Sequence, residues 1–564
     1  MKNTFIVLAL FLVGAITGYA FISYEGNNSM EDELKSFIKK YEEKVAPLSK
    51  EANTAYFNAT ISGKEEDYKK SADLEVRMSK IYSNKEDFKA IEKIFKSGEV
   101  KDPLLKREAE VLYNAYLAKQ LDSAKLEDMI RRSNKIENKF STFRAEVNGK
   151  KYTDNEIEET LKTSKDSKTL EAAWRASKKI GELVAPEVVE LVKLRNSAAR
   201  ELGFKNYHEM SVKLGDQDPQ EIEKLFDELD VLTRDAFAKL KNEIDESLAK
   251  TYGISKDQLM PWHYQNRYFQ EAPKIYSVDL DGYYKDKDIV KLTEDYYSSI
   301  GLPIEDMVAK SDLFEKEGKY QHAYCTDIDK QGDVRVVCNI KPNYNWMGTM
   351  LHEYGHAVYG KWTGRDLPWV LRDAAHTFTT EAIAMLFGRM ASNPAWLQDM
   401  AGISNEEKAK IADACYKSLR LEQLTFSRWV QVMYRFEKSM YENPDGDLNK
   451  TWWDLVEKYQ MLKRPEGRNA PDWASKIHVA LYPAYYHNYL LGELLASQFY
   501  YYVNEKVLGN KEVKYVSFKG NKEVGNYFKE KVFGPGAKYQ WNDMIERATG
   551  EKLTAKYYAK QFVN

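Results

Sequence analysis

From Met30 to about Lys250, apolar residues recur every three or four positions, as in Leu34, Phe37, Ile38, Tyr41 and Val45. That spacing puts them on one face of a helix and predicts a long run of amphipathic helices. Pro47, Pro103, Pro186 and Pro219 fall in this stretch, and each is expected at a helix start or in a loop. The pattern changes between Tyr320 and Ile340. Tyr320–Ile328 and Val334–Ile340 have strand character, with Lys330-Gln331-Gly332-Asp333 as the turn between them. With Gln331-Gly332 as a two-residue loop, Cys325 falls opposite Cys338 and a cross-strand disulfide is geometrically possible. The alternative is a pair of reduced cysteines packed as small hydrophobes.

Helical spacing resumes at Trp346, Met347, Met350 and Leu351 and continues through Ala357, Val358 and Tyr359. Gly364 and Pro368 close it, so the helix is predicted from about Tyr344 to Trp362. Another helix is expected over Thr379–Phe387, capped by Thr379 or Thr380, with Glu381 in its first turn. No repeat or low-complexity linker divides the chain after Met30. The expected fold class is mainly α: a large two-lobed helical unit around a deep central cleft, with a small β-hairpin beside it. Residues 30–564 form one domain in this reading, and residues 30–152 form a helical lid.

The 564 residues carry a net charge of −3, with 30% charged and 13% aromatic side chains. A chain this long can bury a large core. Balanced charge without a basic stretch argues against a nucleic-acid partner. The N-terminus differs from the rest: Lys2 precedes an apolar run from Phe5 to Ile22. This is the pattern of a secretory signal, with Gly18-Tyr19-Ala20 as a cleavage site, or of a retained membrane anchor. Either places the rest of the chain outside the cytoplasm, where one disulfide would be compatible and Cys415 would remain free.

The chemistry concentrates in the helix from Tyr344 to Trp362, which contains His352-Glu353-Tyr354-Gly355-His356. Residues four apart share a helix face, so His352 and His356 can aim two imidazole nitrogens at one zinc ion. Glu353 is offset by one position, beside the metal, where its carboxylate can take a proton from the attacking water. A solvated helix that happens to carry two histidines is the alternative. A catalytic zinc needs a third protein ligand. Glu381 is the preferred candidate, against a carboxylate that merely favours a helix N-terminus. Asp373 and His376 compete with it and are preferred as groups that orient an imidazole.

His352-Glu353-x-x-His356 followed by Glu381-Ala382-Ile383 resembles the gluzincin peptidases, specifically the angiotensin-converting enzyme family. Trp452-Trp453-Asp454-Leu455 with Lys458-Tyr459-Gln460 is similar to that family's Trp-Trp-x-Leu-x-x-Lys-Tyr-Gln. Asp472, Lys476 and His478 follow in the family's order. Tyr486, Tyr489, Gln498 and Phe499 continue the match after one inserted residue near Tyr482-Pro483. Leu194-Arg195-Asn196-Ser197-Ala198-Ala199-Arg200, then Gly203-Phe204 and Tyr207, resembles a third family block. The thimet oligopeptidase family, with the same zinc motif and similar tyrosines, is a near neighbour.

The resemblance implies zinc-dependent hydrolysis of short peptides. It implies that His478 and Tyr489 donate to the oxyanion formed at the scissile carbonyl. Lys476 and Tyr486 match the family's anchor for a C-terminal carboxylate, which makes a peptidyl-dipeptidase that releases C-terminal dipeptides. Without that anchor, the resemblance leaves an endo-acting oligopeptidase, and an inactive peptide-binding module is the remaining possibility. His322 and Ala323 match the family's strand that pairs with an extended substrate. The family's chloride-binding arginines match Val456 and Asn488 here, so chloride is not expected as a cofactor. Its aspartate one turn after the zinc glutamate matches Met385. On this reading Glu353→Gln retains bound zinc and loses peptide turnover. Metal analysis beside a peptide assay checks this, and full activity in the variant would remove Glu353 as the base.

Overall fold

The computed structural model describes residues 29–276 and 278–563, and the expected signal or anchor at residues 1–22 lies outside them. Among the described residues, no helix is long and apolar enough to cross a membrane. The chain opens with α1 (Met30–Ser62), α2 (Glu65–Tyr82), α3 (Lys85–Ser97), α4 (Pro103–Leu117) and α5 (Ser123–Thr142). A short hairpin, β1 (Ala145–Val147) and β2 (Lys150–Tyr152), leads to α6 (Asp154–Thr163), α7 (Ser167–Glu201), α8 (Tyr207–Leu214) and α9 (Pro219–Tyr252). After α10 (Asp281–Tyr284), α11 (Ile289–Ser299) and α12 (Glu305–Val308) comes a second hairpin, β3 (Tyr324–Asp327) and β4 (Val334–Val337). The central helices are α13 (Tyr344–Trp362), α14 (Thr377–Gly388), α15 (Pro394–Trp396), α16 (Asn405–Glu442) and α17 (Leu448–Leu455). The chain ends through α18 (Ile477–Leu481), α19 (His487–Tyr502), α20 (Lys522–Phe528), α21 (Trp541–Thr549) and α22 (Lys556–Phe562). The fold is mainly α, as the periodicity predicts.

Local chemistry explains the helix starts. Asp102 and Asp218 cap α4 and α9, and Pro103 and Pro219 follow at the first helical position, where a missing N–H costs nothing. Pro47 and Pro186 depart from expectation, since both lie inside helices, α1 and α7. An interior proline costs about 3 kcal/mol. Helices of 33 and 35 residues absorb that loss because long apolar faces, such as Val184, Val188, Leu191 and Val192 of α7, are buried.

The hairpin β3–β4 is shorter than expected, and its register differs by two residues. Cys325 faces Val336, and Asp327 faces Val334. The loop spans four residues, because Ile328 N–H donates to the Asp333 carbonyl (2.8 Å). Asp327 Oδ1 accepts from Lys330 N (2.8 Å), and Asp329 Oδ1 accepts from Gln331 N (2.9 Å). Two aspartate side chains thus close a wider turn than Gln331-Gly332 alone. Cys325 and Cys338 are therefore free thiols and no disulfide joins them.

Most buried apolar residues belong to one continuous core. Helices α1, α3 and α4 form a smaller core of their own, closed by Trp369, Val370 and Leu371. Helix α1 also grips the hairpin: Asn53 Nδ2 donates to the carbonyls of Asp327 (3.1 Å) and Ile328 (3.2 Å).

Helices α13, α14 and α19 stack in sequence at the centre. Small residues set their spacing. A Cβ on Gly355 of α13 would lie 2.7 Å from the Ala384 Cα of α14. One on Gly492 of α19 would lie 3.1 Å from the Glu381 Cβ. Gly355→Ala should therefore destabilise the protein by about 1–3 kcal/mol through overpacking, measured by chemical denaturation. The same change in an uncrowded helix stabilises by up to about 1 kcal/mol, so the sign of the effect tests the close approach.

Candidate metal centre and active site

Asn343 caps α13, its Oδ1 accepting from Trp346 N (2.9 Å), and the helix runs from Tyr344 to Trp362 as predicted. His352 and His356 point their Nε2 atoms to one spot, 3.3 Å apart. Glu381 Oε2 lies 3.6 Å from His352 Nε2 and 3.8 Å from His356 Nε2. These three side chains form a group able to hold a metal ion. They line a cavity of about 440 Å³ together with Ala323, Cys325 and Glu353.

Glu381 reaches this place from the second turn of α14, not the first. The helix starts at Thr377, capped by His376, whose ring nitrogen accepts from Phe378 N (3.2 Å). Neither Thr379 nor Thr380 is the cap. His376 is thus occupied by the backbone, and Asp373 is ion-paired with Lys330, so neither orients an imidazole. Thr380 does, with its Oγ1 3.0 Å from His356 Nδ1. Thr380 donates its one hydroxyl proton to the Thr377 carbonyl (3.0 Å) and must accept from His356 Nδ1–H. That tautomer leaves the His356 Nε2 lone pair free toward Glu381, the form a metal requires.

Burial governs the charges here. It lowers His352 to about 4, and burial with His352 alongside lowers His356 to about 3, so both rings are neutral near pH 7. Burial and the neighbouring Glu381 push Glu353 up to about 8. Burial and Glu493 push Glu381 up to about 7. Glu493 itself is paired with Arg389. Glu353 and Glu381 have no cation among the groups that shape their protonation. Two neutral imidazoles and the Glu381 carboxyl are a donor set that a divalent cation can satisfy, with the uncompensated Glu353 beside it.

A row of aromatic rings leads away from Glu381. Tyr489 is half-buried, and the Glu381 carboxylate raises its phenol pKa after burial. Its ring meets Tyr486 edge-on at 5.3 Å, and Tyr486 meets His478 at 5.1 Å. His478 is lowered to about 4 by burial and by Lys476, and its Nδ1 is buried without a partner. Beyond it lies Lys476, whose Nζ donates to Gln270 Oε1 (2.6 Å) amid the rings of Tyr268, Trp429 and Tyr486. Burial, then Arg267, lowers Lys476 to about 8. The Tyr486 hydroxyl accepts from Trp429 Nε1 (2.8 Å).

Ala323 lines the metal cavity, whereas His322 is exposed and packs on Tyr320 at 5.4 Å. Among the described residues β3 pairs with β4 alone, so its other edge faces no strand. Val456 is buried, and Asn488 Oδ1 accepts from Gln217 Nε2 (2.8 Å); neither is a cation. Sequence reasoning missed Thr380 as the orienting group, and it missed Gln270 and Tyr268 altogether. A threonine in a helix and a glutamine in an irregular segment carry no motif or periodic signal.

The family model described as angiotensin-converting enzyme (Peptidase_M2) matches residues 28–562. The chain belongs to this family. It is 25% identical to angiotensin-converting enzyme of Mesocricetus auratus over 365 residues, covering 57% of this chain and 27% of that one. The Mus musculus enzyme is 24% identical over 351 residues, with 57% and 26% covered. The angiotensin-converting enzyme-like protein Ace3 of Mus musculus is 21% identical over 440 residues, with 72% and 59% covered. The chain thus spans about a quarter of the length of the first two relatives.

Thr380→Val removes the acceptor for His356 Nδ1–H. It should weaken metal binding about 10–100-fold, read by competition with a chromophoric chelator.

Proposed function

We propose that this member of the angiotensin-converting enzyme family is a zinc peptidyl-dipeptidase that removes dipeptides from the C-termini of short peptides. The observation that carries the reading is the convergence of His352, His356 and Glu381 on one point, with Glu353 lining the same cavity. The donors fit zinc. Bonds of about 2.0–2.1 Å in tetrahedral geometry put two nitrogens roughly 3.3–3.4 Å apart, and the two Nε2 atoms are 3.3 Å apart. His352, His356 and Glu381 would hold the ion. Zinc supplies Lewis acidity toward the carbonyl and a lowered pKa for the attacking water.

The chain's own groups do the rest. Glu353 takes the proton of the attacking water on its carboxylate and passes it to the leaving amine nitrogen. His478 and Tyr489 donate to the oxyanion, each worth about 2.7–4 kcal/mol of transition-state stabilisation. The substrate lies extended along the open edge of β3 at Ala323, held by backbone hydrogen bonds, with His322 beside it. Its C-terminal carboxylate sits at Lys476, with Gln270 and Tyr486 alongside. Residues 30–152, α1 through β2, cover the cleft and admit short peptides rather than folded proteins. The mature protein works outside the cytoplasm, after the N-terminal segment directs it there. No chloride is required.

Mass spectrometry of a hexapeptide with a free C-terminus tests this reading. Stepwise loss of dipeptides supports it. Internal cuts alone would assign the chain to the thimet type of oligopeptidase, and no cleavage at all would leave a binding module. Lys476→Met should raise KM about tenfold or more for free-acid peptides and barely change C-terminal amides. Lys476 is protonated below about 8 and loses its charge above it. The kcat/KM for free-acid peptides therefore falls as pH rises through about 8, while that for amides does not follow.

A further inference from the structure

Tyr482–Tyr486 joins α18 to α19. The segment separates His478 from Tyr489, and its own rings touch both. Tyr482 packs on His478 at 5.3 Å, and Tyr485 packs on Tyr489 at 5.4 Å. Tyr486 touches the two together. Any shift of this segment moves both residues at once.

Its backbone is unusual. Ala484 has φ +54°, a left-handed conformation that a residue with a Cβ adopts rarely unless its surroundings impose it. Two buried polar side chains hold the segment around it. Ala484 N–H donates to Glu437 Oε1 of α16 at 2.6 Å. Arg195 of α7 donates from one guanidinium nitrogen to the Ala480 carbonyl (2.9 Å) and the Tyr441 hydroxyl (3.1 Å). Glu437 is 3% exposed and Arg195 is 5% exposed. Asn196 completes the attachment, with Nδ2 donating to the Tyr441 carbonyl at 2.8 Å. Arg195 and Asn196 thus acquire a purpose that the zinc chemistry does not explain.

We infer that Arg195 and Glu437 are positioning residues: they clamp Ala480 and Ala484 so that His478, Tyr486 and Tyr489 keep their places in the cleft. This rests on the peptidyl-dipeptidase reading above. The clamp comes from two helices, α7 and α16, and touches none of the proposed zinc ligands. A buried carboxyl that holds a backbone N–H is costly unless it is paired and hydrogen-bonded. Burial pushes Glu437 up to about 8, and the Ala484 N–H bond and then the Arg195 charge oppose that shift.

The test compares Glu437→Met, Glu437→Gln and Arg195→Lys with the unaltered zinc-loaded protein on a free-acid peptide and its C-terminal amide. Glu437→Met removes the acceptor. It should lower kcat about tenfold or more, since displacing a catalytic group by about 1 Å costs up to about 10²-fold. The preference for acid over amide should fall with it, because Tyr486 shifts too. Glu437→Gln keeps an acceptor oxygen for Ala484 N–H and should recover most of both. A simple loss of folded protein lowers both substrates equally and leaves the preference unchanged, and that result overturns the clamp. So does a Glu437→Gln variant as impaired as Glu437→Met. If Glu437→Met does not fold, Arg195→Lys decides. It keeps the cation but replaces the planar guanidinium, whose Nη1 bridges the Ala480 carbonyl and the Tyr441 hydroxyl, with a shorter ammonium, and unaltered kcat and preference in that folded variant would overturn the proposal. An unaltered protein without acid preference would instead remove the function on which the clamp rests.

Discussion

The close contact of α13 with α14 is the constraint on which the rest depends. Gly355 lies inside the His-Glu-x-x-His motif and places the α13 backbone where a Cβ would be 2.7 Å from Ala384. At that separation, short side chains suffice: Glu381 reaches both imidazoles, and Thr380 reaches the far nitrogen of His356. Gly492 repeats the device one layer on, drawing α19 against Glu381 and Met385. Three helices are thereby locked at backbone distance, and their side chains inherit a rigid frame. Packing of this kind transmits small errors directly, because a dense interior cannot absorb an added methyl group.

Electrostatics then explains why such a frame suits a cation. Burial and Glu381 push Glu353 toward neutrality, and burial and Glu493 push Glu381 the same way. Arg389 is already committed to Glu493. The histidines are neutral and offer lone pairs, not charge. In the proposed mechanism zinc resolves this imbalance and leaves Glu353 ionised enough to act as a base. Farther along the cleft, Lys476 is a buried amine amid aromatic rings with Gln270 as its hydrogen-bond partner, the place the proposed mechanism gives to the substrate carboxylate.

How far the sequence carries the argument depends on the range of the interaction. The four-residue spacing of His352 and His356 is a helical property, so α13 and its face were legible to the residue. Glu381 was legible as a ligand candidate, but its helix begins earlier because His376 caps it, and histidine is a weak capping signal. The hairpin was legible, but its register was not. Side chains of Asp327 and Asp329 widen the turn and move Cys325 from Cys338 to Val336. Pro47 and Pro186 sit within helices because tertiary burial outweighs a local penalty. Thr380, Gln270, Arg195 and Glu437 act through partners distant in sequence, and nothing local distinguishes them.

X-ray absorption at the zinc edge, on purified zinc-loaded protein, tests the central claim most directly. The account predicts one zinc per chain with two imidazole nitrogens and carboxylate oxygen at about 2.0–2.2 Å. Sulfur at about 2.3 Å, which would implicate Cys325 or Cys338, or a chain that retains no zinc, would contradict it.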